Sequence, residues 1–579
     1  MRLHTGSQLA CLLLLVHAVQ QVAGVNFTQC LIGIVANANA NATQNLTGLL
    51  NGDGGPVSNA SDATSISYSL CTSACGTGQE PFQWSVFSQD FSAWLLPNLA
   101  LISQLPFGAQ YRLDNLMSAV LTVGSPALAG YSLFITLLNS RWITQQFRQS
   151  ANYPNSRSVV SILSSLQQVP LRLHLDRVPS LLVLPENDCW WKYFSELVDY
   201  THTWSIASAT SIAWVVVAYI VNVVNSPADM YSVADGDPTG SLWLWLIPIV
   251  VGWLQLSPKC DYDRLQAAYD RADRHAHPGP AGAHMRTPLA FTRRPLTITA
   301  KEKDVMSPDE LLTPPVFNYS RSLPWASTAN AISLMFEVAS EKAECRIPVR
   351  SGSEWVESDT SESIHPSNRY GSSEEIARYC AEPYCAEPCG AEPLGAEPSH
   401  WGPGVFTRMA IASCASLILQ WGTVGSAFIA AWFTPTTRMG CRALSYLLYG
   451  AISTLIWMML LTSSILAHYA AGYSHRPSLS ARIALALSHG LRRMGKILAI
   501  ANSIWVVVSC IFVYSNFYDT CYCNSSVVSR GTGSYDAIIE TAPQAAVLRA
   551  AWIGAVAMAS TSALAFLGVM NLLLDRLPL

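Results

Sequence analysis

Charged residues are scarce in this chain of 579 residues, of which only 12% are Asp, Glu, Lys or Arg. Ordinary soluble domains carry about 25%. The longest apolar runs contain no Asp or Glu, and they are long enough to cross a bilayer as helices. With 50% hydrophobic residues and 18 Trp, the chain is predicted to be all-α, a polytopic transmembrane helix bundle in contact with the lipid bilayer. The formal net charge of −4 argues against a nucleic-acid partner.

The common signatures of catalysis and of phosphate binding are also missing. The chain has no His-Glu-x-x-His motif, no Gly-x-Ser-x-Gly motif and no phosphate-binding loop. The predicted spans carry almost no ionisable residue, because Arg408, His468 and Lys496 fall at their edges, where they can reach the membrane surface. We therefore predict that the protein is not an enzyme, with no catalytic, cofactor-binding or metal-binding residues.

The first 24 residues have the pattern of a secretory signal peptide. Arg2 gives a positive start, residues 9–19 form an apolar run too short to span, and small residues follow at 22–24. An uncleaved membrane anchor is the alternative. Residues 25–90 lack Lys and Arg, which fits a lumenal or extracellular tail. Sequons in this tail predict N-glycosylation at Asn26, Asn41, Asn45 and Asn59.

Seven apolar segments are predicted to span the membrane. They are residues 116–138, 204–224, 241–256, 407–433, 445–467, 497–515 and 550–574. They form a first membrane region of three spans, 116–256, and a second region of four spans, 404–579. Residues 91–115 are predicted to lie in the lumenal interface or to re-enter the membrane. An eighth span at 91–108 is the alternative, although two prolines interrupt it.

The distribution of Lys and Arg decides between these two topologies. With seven spans, the cytosolic segments carry 27 of these residues and the opposite segments carry 5. Long loops cross membranes with little regard to charge, but without the longest loop the ratio is still 12 to 5. The sequence therefore predicts seven spans, with the tail outside the cytosol. Trp243, Trp245 and Trp253 are predicted to anchor one short span at the membrane surface.

Residues 257–403 break the apolar pattern and are predicted to be a long cytosolic loop. Pro, Ser, Glu and Arg are frequent there, so most of the loop is predicted to be disordered, with possible short helices at 261–275 and 328–343. A pentad repeat, YCAEPYCAEPCGAEPLGAEP, occupies residues 379–398. Its three cysteines lack the spacing of a zinc site, so we predict an extended repeat rather than a metal site. The loop is also the predicted contact surface for a cytosolic protein partner.

Six cysteines fall on the predicted oxidising side of the membrane. They are Cys30, Cys71, Cys75, Cys441, Cys521 and Cys523. Disulfides persist on that side, but six cysteines allow 15 pairings. Cys521 and Cys523 cannot easily bond to each other, so at least one is expected to reach another loop, with Cys441 as the nearest candidate. Free thiols are the alternative. Asn524 follows the pair as a further predicted glycosylation acceptor.

Four stretches of the chain are distinctive. They are SSLQQVPLRLHLDRVPSLLVLPENDCWW (164–191), SLWLWLIPIVVGWLQLSPKC (241–260), LQWGTVGSAFIAAWFTPTTRMGC (419–441) and SNFYDTCYCNSSV (515–527). The chain resembles, in these stretches and the spans between them, a group of uncharacterised polytopic integral membrane proteins of filamentous fungi. The resemblance implies a polytopic, glycosylated membrane protein, and it brings no activity and no site residues.

The function predicted from the sequence follows mainly from these absences. We expect a non-enzymatic accessory, sensing or scaffold component of the plasma membrane or of an endomembrane of the secretory pathway. A transporter or channel for a neutral or lipidic solute is the alternative, because the spans carry neutral polar residues such as Asn222, Asn502 and Asn571. A water-filled cavity lined by these three side chains would favour the alternative, whereas a packed bundle would favour the first function.

Overall fold

The chain is mostly helical wherever the structure describes it, which confirms the predicted all-α class. The computed structural model describes residues 24–40, 46–105, 112–148, 150, 152–174, 177–199, 205–229, 239–257, 259, 261–274, 296–297, 313–314, 316–358, 364–381, 401–472 and 478–575. The predicted signal peptide and most of the pentad repeat lie outside these residues, as do Asn41 and Asn45.

The longer α-helices of the described residues are numbered in chain order. They are α1 (Phe27–Ala40), α2 (Trp84–Asp90), α3 (Leu96–Ile102), α4 (Arg112–Gly124), α5 (Pro126–Gln146), α6 (Ser156–Ser165), α7 (Asp188–Val198), α8 (Ile206–Asp229), α9 (Leu246–Leu256), α10 (Tyr262–Asp273), α11 (Ser322–Glu344), α12 (Ser373–Ala381), α13 (Val405–Phe433), α14 (Cys441–Ala471), α15 (Leu479–Tyr514) and α16 (Ala542–Leu574). A π-helical segment, Phe91–Leu95, joins α2 to α3 without a break.

The strands are short and belong to two small sheets. They are β1 (Leu49–Leu50), β2 (Ser65–Ser67), β3 (Arg172–Leu173), β4 (Leu296–Thr297) and β5 (Tyr535–Ala537). In the first sheet β2 lies between β1 and β5, and both pairs are antiparallel. β3 pairs antiparallel with β4 in the second sheet. The first sheet therefore joins the predicted tail to the connection between the last two long helices.

Four helices, α13 to α16, are long and apolar enough to cross a membrane. The pair α4 and α5 passes the same test only together, and the two helices are bent by 107° at the break between them. The described residues thus contain four candidate spans, or five if the bent pair is one span. The predicted spans 204–224 and 241–256 correspond to shorter apolar helical stretches, Ile206–Val221 and Gly240–Leu256.

The predicted span 116–138 is not one continuous helix. This segment contains the break, because α4 ends at Gly124 and α5 begins at Pro126. Proline has no amide hydrogen to donate, and its ring clashes with the preceding turn of a helix. It therefore suits the first position of a helix and disrupts the interior of one. The predicted span 497–515 corresponds to the last part of α15, which is one continuous helix of 36 residues.

One end of the bundle carries a small folded unit that we call the cap. It consists of residues 24–40 and 46–80 together with residues 516–541, which connect α15 to α16. Its regular elements are α1 and the first sheet, and its own hydrophobic cluster includes Phe27, Leu31, Leu49 and Ile66. The tail predicted at 25–90 therefore folds against the connection between the last two candidate spans.

The opposite end of the bundle carries a second unit that we call the base. It consists of α6, α7, α10, α11, α12 and the second sheet. Large aromatic side chains fill its interior, and each of the following is at most 1% exposed: Trp190, Trp191, Phe194, Tyr269 and Phe336. Aromatic side chains bury about 150–250 Å² each, so this cluster supplies much of the apolar contact between the short helices of the base.

The base contains much of the segment that the sequence predicts to be a disordered loop. Within 257–403, α10 and α11 agree with the short helices predicted at 261–275 and 328–343. Residues 316–327, 344–358 and 364–381 fold as well, so the prediction of disorder is wrong for these parts. The reason is the apolar face of α11, which buries Trp325, Ile332 and Phe336 at helical spacing although the loop as a whole is polar. The Trp325 ring nitrogen also donates to the Leu163 carbonyl oxygen at 2.9 Å.

Two hydrogen bonds attach this folded segment to the long helices. The Asn318 side-chain amide donates to the Thr136 hydroxyl at 2.8 Å, and the Ser464 hydroxyl donates to the Tyr319 carbonyl oxygen at 2.7 Å. Asn318 lies in a sequon but is fully buried. Because Ser464 is near the end of α14 that lies away from the cap, these contacts place the base at the other end of the bundle.

The three tryptophans predicted as surface anchors lie instead in the interior. Trp243, Trp245 and Trp253 are 1%, 0% and 1% exposed. The chain around them packs on α5, α13 and α16, and small residues allow this close approach. A side chain at Gly252 would overlap Leu133 and Met570, for example.

Candidate functional site

The break between α4 and α5 lies inside the bundle and is built by three consecutive residues. Pro126 is the first residue of α5, and the Ser125 hydroxyl caps this helix by accepting a hydrogen bond from the Leu128 amide at 3.3 Å. Gly124 ends α4 against α15, where any side chain would overlap the Ala499 carbonyl oxygen. Because the helix is interrupted here, backbone groups on both sides of the break lose their helical partners.

Side chains from α14 and α15 satisfy the carbonyl groups at the end of α4. The Tyr449 hydroxyl donates to the Val123 carbonyl oxygen at 2.7 Å. The Asn502 side-chain amide donates to the Gly124 carbonyl oxygen at 2.8 Å and to the Tyr449 carbonyl oxygen at 3.1 Å. Asn502 and Tyr449 are each 1% exposed. A single buried amide therefore links α4, α14 and α15.

A side chain from α13 satisfies the amide group at the start of α5. The Gln420 side-chain oxygen accepts hydrogen bonds from the Ala127 amide, at 3.0 Å, and from the Ser453 hydroxyl. The nitrogen of the same side chain donates to the Gly450 carbonyl oxygen at 2.9 Å and to the Thr454 hydroxyl at 2.8 Å. Gln420 is fully buried, and it connects α5, α13 and α14.

We call this arrangement the helix-break cluster, and its members are Gly124, Ser125, Gln420, Tyr449, Ser453 and Asn502. It contains no carboxylate, no imidazole and no amine, so it offers neither a general base nor a charged ligand for an ion. Interrupted helices at membrane depth are tolerated where they are buried in protein or line a water-filled cavity. Here the groups at both ends of the break are paired with the chain's own side chains, which makes the cluster a packed joint.

The three asparagines that the alternative function would need are in different surroundings. Asn502 belongs to the helix-break cluster, whereas Asn571 is exposed on the surface of α16. The side chain of Asn222 lies outside the described residues. Asn502 and Asn571 therefore do not line a common cavity.

The six cysteines predicted to form disulfides stand in three pairs with disulfide geometry. Cys30 pairs with Cys75, Cys71 with Cys521, and Cys441 with Cys523, at Cα–Cα distances of 5.7, 5.8 and 5.0 Å. These distances lie within the usual range of about 4.4–6.8 Å. The second pair joins the tail to the connection between α15 and α16, and the third joins that connection to the start of α14.

Charged groups are buried where the cap meets the bundle. Arg442 Nη2 contacts Asp519 Oδ1 at 2.6 Å and Oδ2 at 2.7 Å, with both side chains largely buried. Asp536, on β5, is 2% exposed, and its Oδ2 atom has no hydrogen-bond partner. Burial, with smaller contributions from the negative charges of Asp519 and Glu80, raises the pKa of the Asp536 carboxyl to about 7. This carboxyl therefore titrates near neutral pH.

A second ion pair, with a buried arginine and a partly exposed aspartate, lies in the base. Arg369 contacts both carboxylate oxygens of Asp188, at 2.6 and 2.7 Å, and its Nε atom donates to the Val183 carbonyl oxygen at 2.8 Å. The Arg369 side chain is 4% exposed. Such a two-point contact is the geometry that guanidinium groups form best with carboxylates. It fixes the segment before α12 to the start of α7.

The predicted glycosylation acceptors differ in exposure. Asn26 and Asn59 are exposed on the cap, as an acceptor should be. Asn524 is only 9% exposed, so it is the acceptor that fits the folded cap least. Within the described residues, no group of three or more His, Cys, Asp or Glu side chains is placed to hold a metal ion.

Sequence reasoning identified Asn502 as a polar residue within a span, but it missed the helix break that Asn502 and Gln420 stabilise. The signal was present as the tripeptide Gly124-Ser125-Pro126. The ion pairs Arg442–Asp519 and Arg369–Asp188 gave no local signal, because their members are 77 and 181 positions apart.

The chain matches no model of a known protein family, no curated protein and no solved structure. The resemblance to the fungal membrane proteins therefore stays a prediction. The class defined by the fold alone is that of a helical protein with several candidate membrane-crossing helices.

Proposed function

We propose that this chain is a multi-pass membrane glycoprotein of the plasma membrane or secretory pathway that acts as a non-enzymatic accessory, sensing or scaffold component. The observation that carries this proposal is the helix-break cluster. In transporters, interrupted helices leave their end groups to bind a solute or an ion. Here Gln420, Tyr449 and Asn502 occupy those groups. The folded cap and base then supply surfaces for partners at the two ends of the bundle.

We further propose that the membrane is crossed seven times and that the continuous helical segment from α2 to α3 is the first crossing. This segment of 19 residues is about 28 Å long, close to the thickness of the bilayer core of about 30 Å. Its start lies at the cap, where the Asn516 side-chain amide donates to the Pro81 carbonyl oxygen at 3.3 Å. Just beyond its end, the Gln104 side chain accepts a hydrogen bond from Ser208, near the start of α8, at 2.7 Å.

This arrangement keeps the predicted number of crossings and changes which segment is first. The remaining six crossings are α8, the stretch Gly240–Leu256, and α13 to α16. α4 and α5 then form an element that enters the bundle from the side of the base and returns to it. The charges agree, because residues 25–111 contain no Lys or Arg and the first basic residue, Arg112, moves to the cytosolic side.

The first experiment tests this topology by insertion of a new N-glycosylation sequon into residues 106–111. If the segment from α2 to α3 crosses the membrane, these residues are cytosolic and the new site stays unmodified, because the glycosyl transferase acts only in the lumen. The native sites in the tail serve as the positive control for modification of the same molecule. A glycan on the inserted site would refute the proposed first crossing.

The second experiment tests the proposed role. The gene is deleted, and surface proteins and small metabolites are profiled with and without the restored gene. We expect changes in the abundance of particular membrane proteins, reversed by the wild-type gene, with no change in solute uptake. A transporter or channel for a neutral or lipidic solute is the second candidate, because the chain does contain an interrupted helix. A reversible change in the uptake of one solute, with unchanged surface proteins, would favour that candidate.

A further inference from the structure

A buried arginine lies where the bundle meets the base. Arg408 belongs to the beginning of α13, and the sequence predicts that its side chain can reach the membrane surface. It is instead only 7% exposed. Its guanidinium carbon lies 4.2 Å from the centre of the Trp142 ring of α5, and the Trp142 ring contacts the Trp325 ring of α11. The charge is therefore enclosed between two helices of the bundle and one helix of the base.

The hydrogen bonds of Arg408 leave one end of the guanidinium group unused. Its Nε atom donates to the Asn139 side-chain oxygen at 2.9 Å, and its Nη1 atom donates to the Pro403 carbonyl oxygen at 2.9 Å. Both acceptors are neutral. The buried Nη2 atom has no hydrogen-bond partner within the described residues. Because a buried N–H group without an acceptor is unfavourable, a ligand with an acceptor atom is favoured beside Nη2.

Asn139 supplies a second unused donor next to the first. Its side chain is fully buried, and its oxygen must be the atom that faces Arg408, because a guanidinium group can only donate. The amide nitrogen is thus the other end of this side chain, and it also has no partner in the part of the chain that the structure describes. Each of the two unused nitrogens carries two N–H groups, so the hydrogen-bonded pair Arg408–Asn139 offers donors and no acceptor.

No carboxylate neutralises this buried charge. α5 and α13 contain no Asp or Glu, and the first acidic residue of α11 is Glu337, well past Trp325. Among the described residues, Arg408 belongs to no ion pair. A buried charge without a counter-ion is costly, and an anion from solution would remove that cost. α13 begins at Val405, so the positive end of its helix dipole also favours an anion near Arg408.

We propose that Arg408 and Asn139 form a binding site for a small monovalent anion such as chloride. Arg408 Nη2 and Asn139 Nδ2 donate hydrogen bonds to the ion. The burial of both side chains favours an ion of this size over a larger anion or a lipid head group. Because the site joins α5 to α13 where the base is attached, the bound ion stabilises this junction. The site depends on no particular function of the protein, and its failure would leave the proposed role as an accessory component untouched.

The test follows thermal unfolding of the purified full-length protein in detergent while sodium chloride replaces sodium gluconate at constant ionic strength. The unfolding temperature should rise by about 3 °C when chloride reaches about 100 times its Kd, because a ligand that binds only the folded state stabilises it. The variant R408Q should lose this response. R549Q is the matched control, since it removes an exposed arginine of α16 and should respond as the wild type does. A third series with sodium phosphate separates a small monovalent ion from a phosphate group.

A second variant keeps the proposal falsifiable if R408Q does not fold. N139D keeps the shape of the side chain and places a carboxylate against Arg408. This internal charge pair should replace the ion, so N139D in gluconate should unfold at or above the wild-type temperature and should not respond to chloride. A chloride response of wild-type size in N139D or in R408Q would overturn the site. Protection of the wild type by phosphate and not by chloride would also overturn it, as would no protection by either.

Discussion

The side-chain amide of Asn502 donates a hydrogen bond of 2.8 Å to the carbonyl oxygen of Gly124, at the point where one helix ends inside the bundle. The two residues are 378 positions apart in the chain. Their contact explains how an interrupted helix can exist there, because the freed carbonyl group has a partner. It also gives the bundle a joint whose removal can be tested with single substitutions.

Replacement of Asn502 by Leu should destabilise the protein. The change leaves the Gly124 and Tyr449 carbonyl groups without this donor in the interior, which costs about 1–3 kcal/mol. Thermal unfolding in detergent measures the effect. Asn571→Leu is the matched control, because Asn571 is exposed on α16 and the same substitution should change stability by less than about 0.5 kcal/mol. Equal effects of the two variants would mean that the hydrogen bonds of Asn502 are unimportant.

Replacement of Gly124 by Ala should also be destabilising, although alanine favours helices. The added methyl group would overlap the Ala499 carbonyl oxygen of α15, so α4 would have to move, at a cost of about 1–3 kcal/mol. Gly554→Ala is the control, because a methyl group there meets no atom within 4 Å. That variant should be neutral or more stable by up to about 1 kcal/mol. If Gly124→Ala unfolds at the wild-type temperature, the close contact between α4 and α15 is refuted.

Replacement of Cys441 by Ser should expose one particular thiol. Cys441 pairs with Cys523, whereas Cys521 pairs with Cys71 and stays oxidised. A membrane-impermeant maleimide should then label Cys523, which peptide mass spectrometry can identify. The variant should also unfold at a lower temperature, since the bond closes a loop of 82 residues. Cys414→Ser, on the exposed face of α13, should produce no new labelling. Labelling at Cys521 instead would mean that the pairing is exchanged.

The stability of the cap should fall as the pH rises towards 8. The pKa of Asp536 is raised from its ordinary value of 3.8 to about 7, so the folded cap holds a proton that the unfolded chain releases. The stabilisation is fully present below about pH 4 and is lost as the pH passes about 7, with a total on the order of 4 kcal/mol. Thermal unfolding between about pH 5 and pH 8 measures this trend.

Asp536→Asn should abolish this pH dependence and stabilise the protein most at the alkaline end. The amide keeps the shape of the carboxyl group and cannot ionise. Asp53→Asn is the control, because Asp53 is exposed and its replacement should leave the pH profile unchanged. A wild-type profile in Asp536→Asn would assign the pH dependence to another group.

Replacement of Arg369 by Ala should loosen the base. The change leaves Asp188 without its two-point partner, and because the Asp188 side chain is 37% exposed the cost is that of lost hydrogen bonds to a charged group, about 1.5–3 kcal/mol. Limited proteolysis should then cut faster within residues 364–381 than it does in the wild type. Arg346→Ala removes an ion pair with Glu357 whose side chains are 70% and 68% exposed, and it should cost less than about 1 kcal/mol. Resistance of Arg369→Ala to the protease would mean that the segment is held mainly by α11.

The sequence predicts features that depend on local composition, and it fails to predict features that depend on contacts between residues far apart in the chain. The helical class and the four helices α13 to α16 follow from apolar runs without acidic residues. Within the loop the sequence predicts the 328–343 part of α11, but it misses the start of that helix at Ser322 and the folding of residues 344–358 and 364–381, which lie among polar neighbours. The ion pair Arg369–Asp188 joins residues of ordinary appearance, which no local pattern distinguishes from solvated ones.

The candidate site is likewise predictable only in part: its residues can be recognised in the sequence, but their assembly into one cluster cannot. Buried Asn502 and Gln420 are visible in the sequence as polar residues in apolar helices, and Gly124-Ser125-Pro126 is visible as a turn signal. Their convergence depends on the packing of α4, α13, α14 and α15, which hydropathy does not encode. Likewise, the sequence can name six cysteines, but only the positions of β2 and β5 bring Cys71 close to Cys521.

The sheet of the cap sets an order of events for biosynthesis. β2 and Cys71 emerge from the ribosome early. Their partners, β5 and Cys521, emerge much later, and Cys521 follows Cys71 by 450 residues. At about 5–20 residues per second, translation of this interval takes roughly 20–90 s. During that time the Cys71 thiol has no native partner and is open to capture by Cys30 or Cys75. We therefore expect correct pairing to require reshuffling of such early bonds, and faster translation should reduce the yield of mispaired chains.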